Sequence, residues 1–399
     1  MMMSSMALLR LALLAAVVLS ACVSQPAATL DAARASPSVA APSPAAPDQV
    51  VVSTSAQLVA ALSARTPRDI VVEPGYYDSP RAFVNDSGHR VRAAETGAAV
   101  FGAGFVIGGS AAAGDAVLQG LAFDLSDGRK TLGGAAINIW GGATGARILD
   151  VTVDGHGALG SGLMSRQPEG LVVQRLRARG FTDYGVFVDA NEQGRQVARP
   201  ALIEDVVITD VGRAQPRSAN GTAEACLWIG NTATVRRAAL RACAWMGVWT
   251  GTSASGAVLE DIAIDDTPVG VYLEHFTTAS LFQRLRIGPR VHTGVVCEWA
   301  DPDWGRKPAC VDDRIEDSTI DSCAVGVNLG TGTTRTAVRS VTFVGQRVAA
   351  VIDNAGVGNV FGGNDYTAVG DGAVAISTGT AAASMVCPRW SATQDRQPR

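Results

Sequence analysis

Charge is scarce in this 399-residue chain: Asp, Glu, Lys and Arg supply 18% of it, and the net charge is −4. Such a balance gives no electrostatic reason to expect a nucleic-acid partner, and it does not suit a charged helical protein. Lysine is nearly missing, with Lys130 and Lys307 alone among 33 cationic residues. Long apolar runs are absent too. The run Leu11–Leu19 after Arg10 is too short and ends too soon to cross a bilayer as a helix. Helical spacing of apolar residues is confined to about residues 55–65, which argues against an array of helical repeats. What the chain does have is glycine, at 44 positions, within a composition that is 47% hydrophobic. Many glycines with few charges suit a succession of short buried strands and turns.

The N-terminal segment reads as targeting, not fold. Residues Leu19-Ser20-Ala21-Cys22 resemble a bacterial lipoprotein box. The resemblance implies removal of residues 1–21, lipidation of Cys22 and a membrane partner through that anchor. Val23 in place of Asp leans towards the outer membrane of the bacterial envelope. An ordinary secretory signal cut after Ala21 is the alternative. Residues 22–49 are rich in Ala, Pro and Ser and read as an extended tether. A domain is expected over 50–387, followed by a polar tail at 388–399. Six cysteines follow Cys22, an even number suited to disulfides in an exported chain. The pairs considered are Cys226–Cys243, Cys297–Cys310 and Cys323–Cys387; sequence does not fix the connectivity.

Two short patterns recur through the domain. In one, a glycine leads alternating apolar residues: Gly185-Val186-Phe187-Val188-Asp189, Gly247-Val248-Trp249-Thr250-Gly251, Gly270-Val271-Tyr272-Leu273-Glu274, Gly294-Val295-Val296-Cys297-Glu298 and Gly326-Val327-Asn328-Leu329-Gly330. In the other, a polar residue leads: Asp150, Arg175, Asp205, Arg237, Asp261 and Arg284 each open a polar–apolar–any–apolar run, Asp317 opens one with Ser318 in the first apolar place, and Ser340 continues the series. Successive leaders lie 25, 30, 32, 24, 23, 33 and 23 residues apart. A basic period near 23–25, lengthened at three places, is a solenoid signature. The spacing predicts a right-handed parallel β-helix of ten to twelve rungs. Ser55–Leu62 is expected to form a short N-terminal capping helix, with Ser55 as its N-cap. The helix, the following strand and the repeats together resemble the pectin-lyase-like superfamily. That resemblance speaks to fold more than to activity. Alternating Asp and Arg leaders, stacked one per rung, predict a ladder of ion pairs that sets register.

Alternation along each glycine-led strand points its intervening residues outward. Stacking then predicts an aromatic file containing Phe187, Trp228, Trp249 and Tyr272 beside an acidic file containing Asp189, Glu274 and Glu298. Trp140, Asn138 and Arg166 extend the same face upstream, and Trp299 follows Glu298. Insertions near 190–200, 212–224 and 299–311 rise beside this face, where a solenoid tends to carry its binding site. The aromatics (Trp228, Trp249, Tyr272, Trp299, with Trp140, Asn138 and Arg166) are the candidate substrate-binding residues. They offer platforms for sugar rings or a small second core. Glu274, Glu298 and Asp189 are the candidate catalytic acids. Two carboxylates about 5 Å apart can share a proton, a spacing suited to a retaining glycosidase. They could equally hold calcium together with loop oxygens such as those of Asp301 or Asp303. His275 and His292 could shuttle protons or be ordinary turn residues.

The resemblance also implies, for its lyase members, an Arg or Lys base near calcium. Arg166, about four rungs or ~19 Å from Glu274, is too far away to act with it. Gly155-His156-Gly157 resembles a fragment of the polygalacturonase signature, but the remaining elements of that signature are missing. The expected activity is therefore that of an envelope-tethered, polysaccharide-acting protein, a lyase or glycoside hydrolase. The alternative is a non-catalytic glycan-binding or structural surface lipoprotein.

Overall fold

The computed structural model describes residues 48–109, 113–166, 168–189, 198–213, 224–230, 232–251, 254–298, 310–354 and 356–378. The expected signal, the expected lipidation site Cys22 and the tether up to residue 47 lie outside these residues, as do Trp299, Asp301, Asp303, Cys387 and the C-terminal tail. The protein is a parallel β-helix: all the strand pairs of its main sheet are parallel, and each strand pairs with its counterpart one coil away. Every coil contributes to three faces. One, the site face, holds the glycine-led strands, and the second and third faces follow it in chain order. Register on the site face runs through Val84, Val106, Asn138, Met164, Phe187, Trp228, Trp249, Tyr272, Val296, Asn328, Ile352 and Ser377. That is one residue per rung over twelve rungs, within the range the period predicts.

Most inward positions of the three faces are apolar and fully buried, as at Val186, Leu227, Val248, Val271 and Val295 on the site face, while Asn85, Ser165 and Thr250 are buried polar residues in the same inward set. One continuous core results. A parallel stack buries these positions from every side, so burial of each such side chain contributes about 1.5–3 kcal/mol. The recurring glycine has a spatial cause. A Cβ at Gly185, Gly247, Gly270 or Gly294 would collide with an isoleucine of the third face (Ile208, Ile264, Ile287 and Ile320 respectively) and with the backbone carbonyl of the next rung. None of the four has positive φ. The glycines mark close approach at the bend into the site face, not a left-handed turn.

The polar leaders serve the opposite need. Asp150, Arg175, Asp205, Arg237, Asp261, Arg284, Asp317 and Ser340 all adopt φ between +49° and +57°, the left-handed region at the sharp bend between second and third faces. Arg175 binds Asp150, Arg237 binds Asp205, and Arg284 binds Asp261. The alternating file is therefore resolved into Asp–Arg dyads, not a continuous ladder. Asp317 closes the series by accepting from Gln283 Nε2 at 2.7 Å.

Ser55–Leu62 is helical and buries Leu58, Ala61 and Leu62 against the first rung. Its N-cap is Thr54, not Ser55: Thr54 Oγ1 accepts from Gln57 N, and the Gln57 side chain accepts from Thr54 N. Ser55 instead accepts from Asp78 N. The shift follows from the capping box, which needs Gln three residues after the cap. Disulfides join Cys226 to Cys243 and Cys297 to Cys310. The third pairing considered, Cys323–Cys387, reaches outside the described residues.

Candidate functional site

Midway along the site face the two outward files interlock. Cross-rung register sets Phe187, Trp228, Trp249 and Tyr272 one above another. Backbone amides place Trp140, Arg166, Asp189, Gly230, Gly251, Glu274 and Glu298 in the neighbouring file, each donating to the carbonyl of the rung before. Phe187 and Trp228 stack face to face, with centroids 4.2 Å apart and planes 9° from parallel. From there the geometry alternates: Trp249 meets Trp228 edge-on at 6.2 Å, and Tyr272 meets Trp249 edge-on at 6.3 Å. Edge-to-face contact presents the positive ring edge to the negative ring face, and each such pair contributes about 0.5–1.5 kcal/mol beyond area burial.

The gap in the acidic file is filled by an indole. A Cβ at Gly230 or Gly251 would run into the ring of Trp228, which lies across both positions. Asp189 therefore stands on one side of Trp228 and Glu274 on the other. Each downstream carboxylate is tied diagonally to the aromatic of the rung before it. Trp249 Nε1 donates to Glu274 Oε2 at 3.1 Å. Tyr272 is hydrogen-bonded to Glu298, and His275 Nε2 lies 3.4 Å from Glu298 Oε2. His275 and Glu298 side chains are 12% and 15% exposed, so this pair is largely withdrawn from water. Burial, the Glu298 hydrogen bond and the charges of Glu298 and Glu274 all hold the Tyr272 phenol well above its ordinary range.

A second phenol and two further acids join this cluster. Burial raises the Tyr184 hydroxyl to about 12, helped by the charges of Asp183, Glu274 and Glu224 around it. Burial also raises the carboxyl of Asp183, and Glu224 is only 5% exposed. The sequence pattern does not reveal these three. Asp183 and Tyr184 precede Gly185 at the bend and Glu224 closes an insertion; Tyr184 holds a register position shared with Ser161, Ala225 and Met246, where the residue type is not repeated. Tyr184 stacks obliquely on Phe187 at 5.1 Å, which its place immediately before the glycine-led apolar run could have signalled.

The upstream residues behave differently. Asn138 shares the aromatic file but is only 1% exposed, and its Nδ2 donates to Leu132 O at 2.9 Å. The segment around Gly133 closes over it, so Asn138 does not present its amide to a chain lying along the face. Trp140 is 39% exposed and Arg166 is exposed, each in its expected file. His156 stands apart from the face, at the exposed turn where it binds Asp124 and its backbone amide donates to Asp154. Among the described residues no group of three His, Cys, Asp or Glu side chains is placed to hold a metal ion.

No protein-family model matches the chain, and no curated protein matches it in sequence. Solved structures do. A mannuronic acid-specific polysaccharide family 6 lyase from human gut microbiota aligns with TM-score 0.56 and 10% identity, over 86% of this chain and 89% of the lyase. The catalytic domain of a GH87 α-1,3-glucanase, in complex with tetrasaccharides, aligns with TM-score 0.51 and 13% identity over 88% and 70%. The Dettilon tailspike protein aligns with TM-score 0.52 and 13% identity; the match takes in 81% of this chain and spans 64% of the tailspike's length. At such identities the likeness is one of fold: this chain is built like the parallel β-helices of a lyase, a glucanase and a tailspike.

Proposed function

We propose that this chain acts on a polysaccharide bound along the site face, and that it does so from the bacterial envelope, tethered through a lipid on Cys22. The observation that carries the reading is the diagonal knitting of aromatic and acidic files. Trp228, Trp249 and Tyr272 offer half-buried ring surface for the C–H faces of sugars. Glu274, Glu298 and His275 stand directly beside that surface as proton donors and acceptors. The phenols Tyr184 and Tyr272 stay protonated at neutral pH, because burial and neighbouring carboxylates oppose phenolate. They therefore donate hydrogen bonds rather than accept protons. Of the groups here, Glu298 has the more complete support, with Tyr272 on one side and His275 on the other.

Two reaction classes fit these groups. In a hydrolase, Glu298 and Glu274 divide the roles of acid and nucleophile on successive rungs, backbones about 4.8 Å apart. In a lyase, a base removes the proton α to a uronate carboxylate while an acid protonates the leaving oxygen. Folds of a lyase and a glucanase lend support to both. A second reading, a non-catalytic glycan binder, is favoured by the commitment of each carboxylate to a neighbouring ring N–H or O–H. A glycan panel assayed for new reducing ends and for unsaturated products separates the three. Activity that survives Glu274→Gln combined with Glu298→Gln would remove this site from consideration.

A further inference from the structure

The outer side of the third face carries a trough that the site above does not use. Two hollows share Val207 and Thr209 and so run into one another. The larger measures about 690 Å³ and the smaller about 380 Å³. Its floor is a run of short side chains: register sets Val207, Ala239 and Ala263 on three successive rungs. The same outward file is closed by Arg177 on the rung before Val207 and by Arg286 on the rung after Ala263. In the adjacent file Thr209 lies between Arg179 and Arg241. Small residues flanked by arginines make a shallow channel with an apolar floor and charged walls, in which Arg177, Arg179, Arg241 and Arg286 meet Asp154, Asp265 and Asp321.

The ion-pair pattern sharpens this. Arg179 is held by Asp154 and Arg290 by Asp265, and Asp321 borders the upper end. Arg177, Arg241 and Arg286 are exposed and have no ion-pair partner among the described residues. Each is a planar fork suited to carboxylate; Arg241 is in register with Asp265, but that acid is bound by Arg290. From Arg177 to Arg286 is four rungs, about 19 Å along the solenoid axis, the reach of a short oligosaccharide.

We propose that this trough binds an anionic linear polysaccharide lying parallel to the solenoid axis. Carboxylates of the uronate sugars pair with Arg177, Arg241 and Arg286, while apolar ring faces rest on Val207, Ala239 and Ala263. The trough is separate from the site face, so it holds a polymer without taking part in chemistry there. Asp265 and Asp321 disfavour the dense charge of a nucleic-acid backbone, which selects for the sparser charge of a uronate chain.

The test is calorimetric titration of the purified chain with oligogalacturonate and with oligoalginate, using neutral dextran and a single-stranded DNA oligonucleotide as controls. At least one uronate is expected to bind, with affinity that falls as salt rises. Arg177→Gln, Arg241→Gln and Arg286→Gln together are expected to weaken binding about tenfold or more, through loss of charge-assisted hydrogen bonds. Ala263→Trp, which blocks the floor without altering charge, is expected to do the same. Trp249→Ala removes binding at the site face alone and is expected to leave the salt-dependent, arginine-dependent event of the trough in place. Failure of both uronates to bind, indifference to the triple arginine variant and to Ala263→Trp, or equal affinity for DNA would each overturn the proposal. Binding abolished by Trp249→Ala but not by the arginine variants would also overturn it, while leaving the site-face reading intact.

Discussion

Asp313 offers a measurement of what a buried acid costs this solenoid. It is fully buried, at a bend where side-chain oxygens accept backbone amides of the preceding rung. Ser280 Oγ accepts from Ala257 N at 3.2 Å, Asp313 Oδ1 from Ser280 N at 2.8 Å, and Asn359 Oδ1 from Thr336 N at 3.0 Å. An amide or hydroxyl fills this role without charge; Asp313 does not. Burial pushes its carboxyl up to about 7, the nearby charge of Asp312 adds to the rise, and the amides of Ser280 and Val311 oppose it. Asp312 itself is turned outward to Arg335. Between about pH 4 and pH 7 the unfolded chain has released this proton while the folded chain keeps it. Stability from this group is therefore greatest at low pH and declines as pH rises through that window, at about 1.4 kcal/mol per pH unit and about 4 kcal/mol in all. Asp313→Asn keeps the accepting oxygen and removes the ionisation. Urea unfolding of both proteins should give similar midpoints at pH 5. At pH 8 the variant should be the more stable by about 2–4 kcal/mol. Amide hydrogen exchange at Ser280 should gain protection in parallel, which reads the same effect if the stack unfolds in parts. Equal pH dependence in the two proteins would refute the reasoning.

Gly251→Ala should force the Trp228 indole off its seat, at about 1–3 kcal/mol; a shift in tryptophan emission and weaker glycan binding at the site face would register it. Tyr272→Phe should lower stability by about 1–3 kcal/mol by stripping a hydrogen bond from half-buried Glu298, and should depress any activity on glycans beyond that loss; unchanged thermal unfolding and turnover would contradict the diagonal link. Cys297→Ser with Cys310→Ser, opening a span of 13 residues, should cost about 3 kcal/mol, seen as a lower urea midpoint that reducing agent no longer affects. Arg175→Gly should be no less stable than wild type: the lost exposed ion pair is worth under about 1 kcal/mol, and glycine relieves about as much at φ +55°. Thermal melting of Arg175→Ala and Arg175→Gly, with the alanine variant clearly the lower, would check this.

Two features made the fold readable from the sequence, and both are backbone constraints repeated in most of the central coils. One is the glycine that yields to a third-face isoleucine, and the other is the polar residue at left-handed φ. Because they recur, they fix register, and register alone put Trp228 above Phe187 and Glu298 above Glu274. The site's inner wiring was not readable in the same way. Period says which rung a side chain stands on, but not that Trp249 reaches forward to Glu274 or that Tyr272 and His275 converge on Glu298. Asp183, Tyr184 and Glu224 escaped for a related reason, since they occupy bends and insertion ends, where the register continues but no residue type recurs from rung to rung. Asn138 was misjudged because a file position does not reveal that the Leu132–Gly133 segment folds over it.

The left-handed bend between second and third faces has a consequence for how such a chain can change length. Its dyads alternate in sign from Asp150 to Asp317. Excising one coil, residues 205–236, would bring Arg175 against Arg237. Excising two, residues 205–260, would bring Arg175 against Asp261 and restore attraction. The stack thus carries a parity: coils are cheaper to gain or lose in pairs than singly. Over the seven coils from Asp150 to Asp317 this one column favours changes of length by two, by under about 1 kcal/mol at each junction.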